Sequence, residues 1–179
     1  MPKLCGIDEA GRGPLAGDLV MAGVILLKEL EGLMDSKVLS EKKREALYPI
    51  IVENSLHHII SFSPEQLDKD GLSACLGKGL ESIQEHLEAE VYLFDGNQTF
   101  GVLGISTMVK ADGKIAEVSA ASILAKVTHD RAIVEAAKLY PQYGFEKHKG
   151  YGTKAHVEAL KEHGYSKIHR RSFKVKGLN

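Results

Sequence analysis

The sequence predicts an α/β domain: a mixed sheet of about five strands flanked by helices, with a small helical C-terminal part. Three observations carry this. Short apolar runs, the mark of buried strands, recur along the chain between longer segments with helical spacing. Three such runs come early, where neighbours can pair antiparallel; the later ones alternate with helices and should join in parallel through crossovers. Finally, 179 residues with 44% hydrophobic and 26% charged side chains suit one soluble domain with a sizeable core.

The elements follow in order. Residues 3–9 and 17–27 read as two strands joined through GRGPLAG. Residues 40–53 read as a helix with Ser40 as N-cap, which Pro49 should kink or shorten. HHIISF at 57–62 is a third strand. Ser63-Pro64-Glu65-Gln66 is a helix start, with Ser as cap, Pro at the first helical position and Gln three residues after the cap. A helix over 72–86 carries Leu76, Leu80 and Ile83, and with Leu87 these form a core-facing stripe. EVYLFDG at 90–96 is a strand ending on Asp95, and 103–109 is another. A long helix spans 115–139. The last helix, 153–164, stops at Gly164. There are no repeats, low-complexity segments or linkers.

Composition removes several function classes. No apolar run approaches the roughly 18 residues a bilayer span needs. No basic n-region precedes an apolar h-region, so no signal peptide is expected. Cys5 and Cys75 lie in apolar contexts and read as core thiols in a reducing compartment, by default the cytoplasm. GRGPLAG lacks the Gly-Lys-Ser/Thr of a P-loop. In the long helix, Ala116, Ser119, Ala120, Ala121, Ser122 and Ala125 make a small face for close packing beneath a site. Ser119 and Ser122 have no His at a spacing that would activate them.

The chemistry concentrates at the first strand. Leu4, Cys5 and Ile7 deliver two adjacent carboxylates, Asp8 and Glu9, and Gly11-Arg12-Gly13 follows at once. Buried acids need a partner, and a hard divalent cation is a natural one. Glycines let the main chain approach a ligand and turn N–H groups toward phosphate oxygens. Asp95 repeats the pattern at a second strand end, and Asp112 precedes the small-faced helix. If the first and fourth strands are neighbours, Asp8, Glu9 and Asp95 converge, with Asp112 in reach. Four carboxylates so close repel one another unless Mg²⁺ or Mn²⁺ neutralises them. The bland reading stays open for each alone, since Asp before Gly is also a turn signal.

The net charge of −1 hides an asymmetry: from Lys147 to Lys176, nine Lys/Arg face two acids, Glu158 and Glu162. A basic end on a near-neutral protein suits a local polyanion-binding surface, or else a solvated charged helix and tail.

These motifs together resemble bacterial ribonuclease HII, the type 2 ribonuclease H. The likeness runs through GIDEAGRGPLAG (6–17), DSKVLS (35–40), FDGN (94–97), VKADGK (109–114), SAASILAKVTHD (119–130), HKGYGT (148–153) and HRRSF (169–173). It implies the ribonuclease-H-like fold, cleavage of RNA in RNA–DNA hybrids and incision at single ribonucleotides in duplex DNA. The implied mechanism is two-metal hydrolysis, leaving 3′-OH and 5′-phosphate ends.

Carried over residue by residue, the resemblance makes Asp8, Glu9, Asp95 and Asp112 the catalytic metal-binding acids, for Mn²⁺ or Mg²⁺. Gly11, Arg12 and Gly13 become the element that recognises the ribose 2′-OH, Tyr151 the substrate-contacting tyrosine and Lys37 a substrate-side lysine. Arg170 and Arg171, in the basic segment 147–179, are read as phosphate contacts. Without the resemblance, Tyr151 reads as a half-buried aromatic between two glycines. The family usually has Arg-Asp where this chain has His129-Asp130. The chain also ends soon after HRRSF, so any extra C-terminal substrate helix should be short or absent. The expected partners are hybrids and ribonucleotide-containing duplexes, bound by a monomer. Two rivals remain: a related metal-dependent nuclease acting on another nucleic acid, and a catalytically silent hybrid-binding module.

Overall fold

The computed structural model describes residues 1–33 and 39–178. Its strands are β1 (Leu4–Ala10), β2 (Leu19–Leu26), β3 (Ser55–Phe62), β4 (Val91–Asp95) and β5 (Ile105–Met108). They form one sheet in the order β3-β2-β1-β4-β5. β1–β2 and β2–β3 pair antiparallel, while β1–β4 and β4–β5 pair parallel. This is the mixed five-stranded sheet that the order of strands and helices predicts, with β1 and β4 adjacent.

The helices are α1 (Glu41–Glu53), α2 (Pro64–Asp70), α3 (Leu72–His86), α4 (Ala116–Leu139), α5 (Phe145–His148) and α6 (Lys154–His163). Ser40, Ser63 and Thr153 cap α1, α2 and α6, each side chain accepting a backbone N–H three residues on. Each cap satisfies one of the donors a helix start leaves unpaired. Pro49 does not end α1, which continues to Glu53. Beyond the proline, Ile51 is fully buried in the core with α4 and β2, and that packing outweighs one lost backbone bond. The short α5 carries no periodic signal and has no counterpart among the predicted elements.

Strand alternation splits the core in two. Cys5, Ile7, Leu19 and Met21 face Cys75, Leu76, Leu80 and Ile83 of α3, the stripe read from spacing. Val20, Ala22 and Val24 face Ala120, Ala121, Leu124 and Ala125 of α4. The small face of α4 lets it lie close to β1: a Cβ built on Gly6 would sit 2.3 Å from the Val118 backbone nitrogen. A third cluster, including Leu15, Ile133, Tyr143, Phe145 and Leu160, ties the C-terminal part to the far end of α4 and to the loop after β1. Among the described residues, no helix is long and apolar enough to cross a membrane.

Candidate metal centre and nucleotide cleft

Parallel pairing of β1 with β4 brings Asp8 and Asp95 to one sheet edge, each near its strand's C-terminal end. Asp112 arrives from the short 3-10 turn Ala111–Gly113, entered through Lys110 in the left-handed region (φ 58°). Its backbone N–H donates to Asp95 Oδ2 at 3.0 Å. Carboxylate oxygens of Asp8, Asp95 and Asp112 all lie within 4.8 Å of one another.

Glu9 stands beside this trio. Its carboxylate lies close enough to Asp8 and Asp95 for their charges to act on one another. Its Oε1 accepts from Arg12 Nη1 at 3.3 Å. Its Oε2 is buried with no hydrogen-bond partner among the described residues. Burial pushes the Asp8 carboxyl well up, and the Glu9 and Asp95 charges add to this. Burial likewise raises Glu9, against the pull of Arg12, and raises Asp95, although the Asp112 N–H offsets part. Three converging oxygens, an orphaned fourth carboxylate oxygen and acids destabilised by their own proximity fit a divalent cation, whose charge would reverse each penalty.

Next to the acids is a cleft of about 350 Å³ lined by Glu9, Gly11, Arg12, Gly13, Lys126 and Tyr151, among others. Gly11 (φ 92°) is obligatory: a Cβ there would lie 2.5 Å from the Asp18 carbonyl oxygen and 2.8 Å from the His129 ring. Tyr151, 38% exposed, lies across the cleft from Gly13, with Lys126 Nζ 5.5 Å above its ring centre. Gly11, Arg12, Gly13 and Tyr151 therefore share one cavity.

His129, the departure from the usual family arginine, is buried beneath Gly11, and its Nδ1 lies 2.9 Å from Asp130 Oδ1. Ser119 is buried and donates its hydroxyl to the Leu33 carbonyl, a packing role as read. Ser122 lines the cleft.

The two basic residues read as a phosphate-contacting pair separate. Arg171 is exposed, its backbone N–H on Asp68 Oδ2 at 2.9 Å. Arg170 is 0% exposed and cannot meet a phosphate from solvent. Its guanidinium is spent on main-chain carbonyls of the loop after β1. This corrects its assignment as a direct phosphate contact. Lys37 lies outside the described residues.

Sequence reasoning missed a buried histidine relay behind Tyr151. The Ser166 N–H donates to His169 Nδ1 at 2.9 Å, which places the His169 proton on Nε2, 2.8 Å from His156 Nε2. His156 therefore carries its proton on Nδ1 and gives it to the Tyr151 carbonyl at 2.9 Å. Burial pulls His169 down to about 4, and the neighbouring His156 and His148 add to this. Each histidine alone reads as a polar residue in a basic stretch, and only tertiary packing joins them.

A carboxylate cluster fit to hold a divalent cation, gathered where two neighbouring parallel strands end and opening on a glycine-walled cleft, matches a metal-dependent nuclease of the ribonuclease-H-like class. The family model for Ribonuclease HII matches residues 5–75 and 78–176. A Ribonuclease HII of Sulfurovum sp. (strain NBC37-1) is 67% identical over 98% of this chain and 94% of that protein. One of Aliarcobacter butzleri is 57% identical over 99% and 94%. Among solved structures, the RNase HII of Archaeoglobus fulgidus, in complex with PCNA, aligns with a TM-score of 0.84 at 29% identity, covering 97% of this chain and 96% of that one. The chain belongs to the ribonuclease HII family. It is a metal-dependent endoribonuclease that hydrolyses RNA in RNA–DNA hybrids.

Proposed function

We propose that the enzyme also incises duplex DNA at single embedded ribonucleotides, by two-metal hydrolysis leaving 3′-OH and 5′-phosphate ends. The observation that carries this is the juxtaposition of the Asp8–Asp95–Asp112 cluster with a cleft lined by Gly11, Arg12, Gly13 and Tyr151. Asp8, Asp95 and Asp112, with Glu9 beside them, would hold the cations, Mn²⁺ or Mg²⁺. When bound, such ions supply a water of lowered pKa as nucleophile and positive charge at the leaving 3′-oxygen.

The protein's own residues do the rest. The Asp112 N–H fixes the Asp95 carboxylate, so the ligand set is oriented before an ion arrives. Arg12 is drawn toward Glu9, which holds the Gly-Arg-Gly loop against the acids. Main-chain groups of Gly11–Gly13 read the 2′-OH, the one group that tells ribose from deoxyribose. Tyr151 covers the neighbouring sugar and excludes misplaced backbones. Lys37 approaches the substrate on the strength of resemblance alone, and Arg171, with the exposed lysines of segment 147–179, follows the phosphates. Two buried free thiols suit a reducing cytoplasm.

The test uses three labelled duplexes: one with a single ribonucleotide, one with a continuous RNA strand and one of DNA alone. Metal-dependent incision of the first two and not the third is expected. Binding without incision would indicate a silent hybrid-binding module. Cleavage of the all-DNA duplex would indicate a nuclease of different substrate.

A further inference from the structure

We infer that Arg170 is a positioning residue for 2′-OH or phosphate recognition: by capturing loop carbonyls from behind, it turns the Arg12 and Gly13 N–H groups into the cleft. The inference rests on the functional reading above. Arg170 Nη2 donates to the Gly11 carbonyl at 2.6 Å, Nη1 to the Arg12 carbonyl at 3.2 Å and Nε to the Gly17 carbonyl at 2.9 Å. Its own backbone N–H donates to the Leu15 carbonyl at 2.8 Å, and the Ile168 carbonyl accepts from Gly17. One side chain from the C-terminal segment thus spans both ends of a loop more than 150 residues away in sequence.

The consequence follows from peptide planarity. In a trans peptide the C=O of one residue and the N–H of the next point in opposite directions, and no cis bond occurs among the described residues. Drawing the Gly11 carbonyl back onto Arg170 therefore sends the Arg12 N–H forward. Drawing the Arg12 carbonyl back sends the Gly13 N–H forward. Gly11, Arg12 and Gly13 line the cleft, whereas Arg170 is fully buried on the other side of the loop. Among the described residues, neither forward N–H has an acceptor within the protein. Two adjacent, preoriented donors suit one oxygen of a bound ribonucleotide, either the 2′-hydroxyl or a flanking phosphate oxygen.

Arginine is required for geometric reasons. Its planar fork offers donors at fixed angles to three carbonyls, where lysine offers a single point charge. Burial pulls the guanidinium down to about 10, still fully charged at neutral pH, and the carbonyls stand in for lost water.

The experiment compares wild type with Arg170→Lys, which keeps the charge and loses the fork. Melting temperature and Mn²⁺ affinity report whether fold and acids survive. With both retained, kcat/KM on the single-ribonucleotide duplex should fall on the order of ten- to a hundredfold, the cost of a displaced reading element. Affinity is then measured in Ca²⁺ for that duplex and for an all-DNA duplex. A loss confined to the ribonucleotide duplex identifies the 2′-OH as acceptor, and an equal loss on both identifies a phosphate; either supports the role. Wild-type kcat/KM in a folded, Mn²⁺-competent Arg170→Lys would overturn it. A second reading needs no variant. In wild type, the Arg12 and Gly13 amide resonances should shift when the ribonucleotide duplex is added in Ca²⁺, and unmoved resonances would also overturn it. A wild type that fails to incise at all would instead sink the functional reading.

Discussion

Asp95→Asn separates the two things a metal-site carboxylate does, because it should stabilise the empty protein while destroying the enzyme. The amide keeps the shape of the acid, and its oxygen can still accept the Asp112 N–H that Asp95 accepts at 3.0 Å. What changes is charge. At 4.8 Å, the outer limit among the three carboxylates, two unit charges repel by about 3.5 kcal/mol at an effective dielectric of 20. Partial protonation already relieves some of this, since burial and neighbouring charge hold these acids above their ordinary range. The gain on removing one charge is therefore about 1–3 kcal/mol. In a chain of this length each kcal/mol moves the melting temperature by about 2–4 °C. The metal-free variant should melt several degrees above metal-free wild type. The further rise that Mn²⁺ gives wild type by mass action should shrink or vanish, and hybrid cleavage should be lost. Scanning calorimetry with and without Mn²⁺, beside a gel cleavage assay, reads all three. Cleavage near the wild-type rate, or a lower melting temperature without metal, would refute the ligand assignment.

Three further outcomes are expected. Tyr151→Ala should lower kcat/KM at a lone ribonucleotide more than on continuous RNA, which offers many equivalent registers. Losing an aromatic stack costs roughly 1–3 kcal/mol, on the order of ten- to a hundredfold, and equal losses on both substrates would reduce Tyr151 to general binding. Arg171→Ala should flatten the slope of log affinity against log salt by about one unit, the signature of one lost phosphate contact; an unchanged slope would leave Arg171 facing solvent. Stability should fall with acid through the histidine relay. With His169 pulled from 6.5 down to about 4, the unfolded chain takes up protons first, so this stability is complete above pH 6.5 and is lost as pH falls toward 4. Melting temperatures across that window check it, and His169→Gln should flatten the profile.

Much of the fold was legible because its signals are local. Apolar runs at 4–7 and 91–94 end on acids, Ser-Pro-Glu-Gln starts α2, and the Leu76–Leu80–Ile83 spacing names its buried face. The carboxylate cluster followed from a single topological condition, adjacency of the first and fourth strands, which the sheet meets. The remainder depends on tertiary contact. Nine basic residues in a row of thirty look alike in sequence. Only the docking of residues 168–170 against the loop after β1 takes Arg170 out of solvent and leaves Arg171 in it. Pro49 reads as a kink or a shortening of the helix over 40–53, yet burial of Ile51 keeps α1 running to Glu53. The histidines at 148, 156 and 169 have no shared spacing, so their stacking and hydrogen bonding could not be read from the chain.

Cations held by these acids should drive water, and not the 2′-OH itself, onto the phosphate beside a ribonucleotide. Analysis of the product ends from a single-ribonucleotide duplex, cleaved in ¹⁸O-labelled water with Mn²⁺ and with EDTA as control, tests it most directly. A 3′-OH that a polymerase extends, a 5′-phosphate carrying one ¹⁸O, and no product in EDTA are expected. A 2′,3′-cyclic phosphate, or cleavage that survives EDTA, would contradict it.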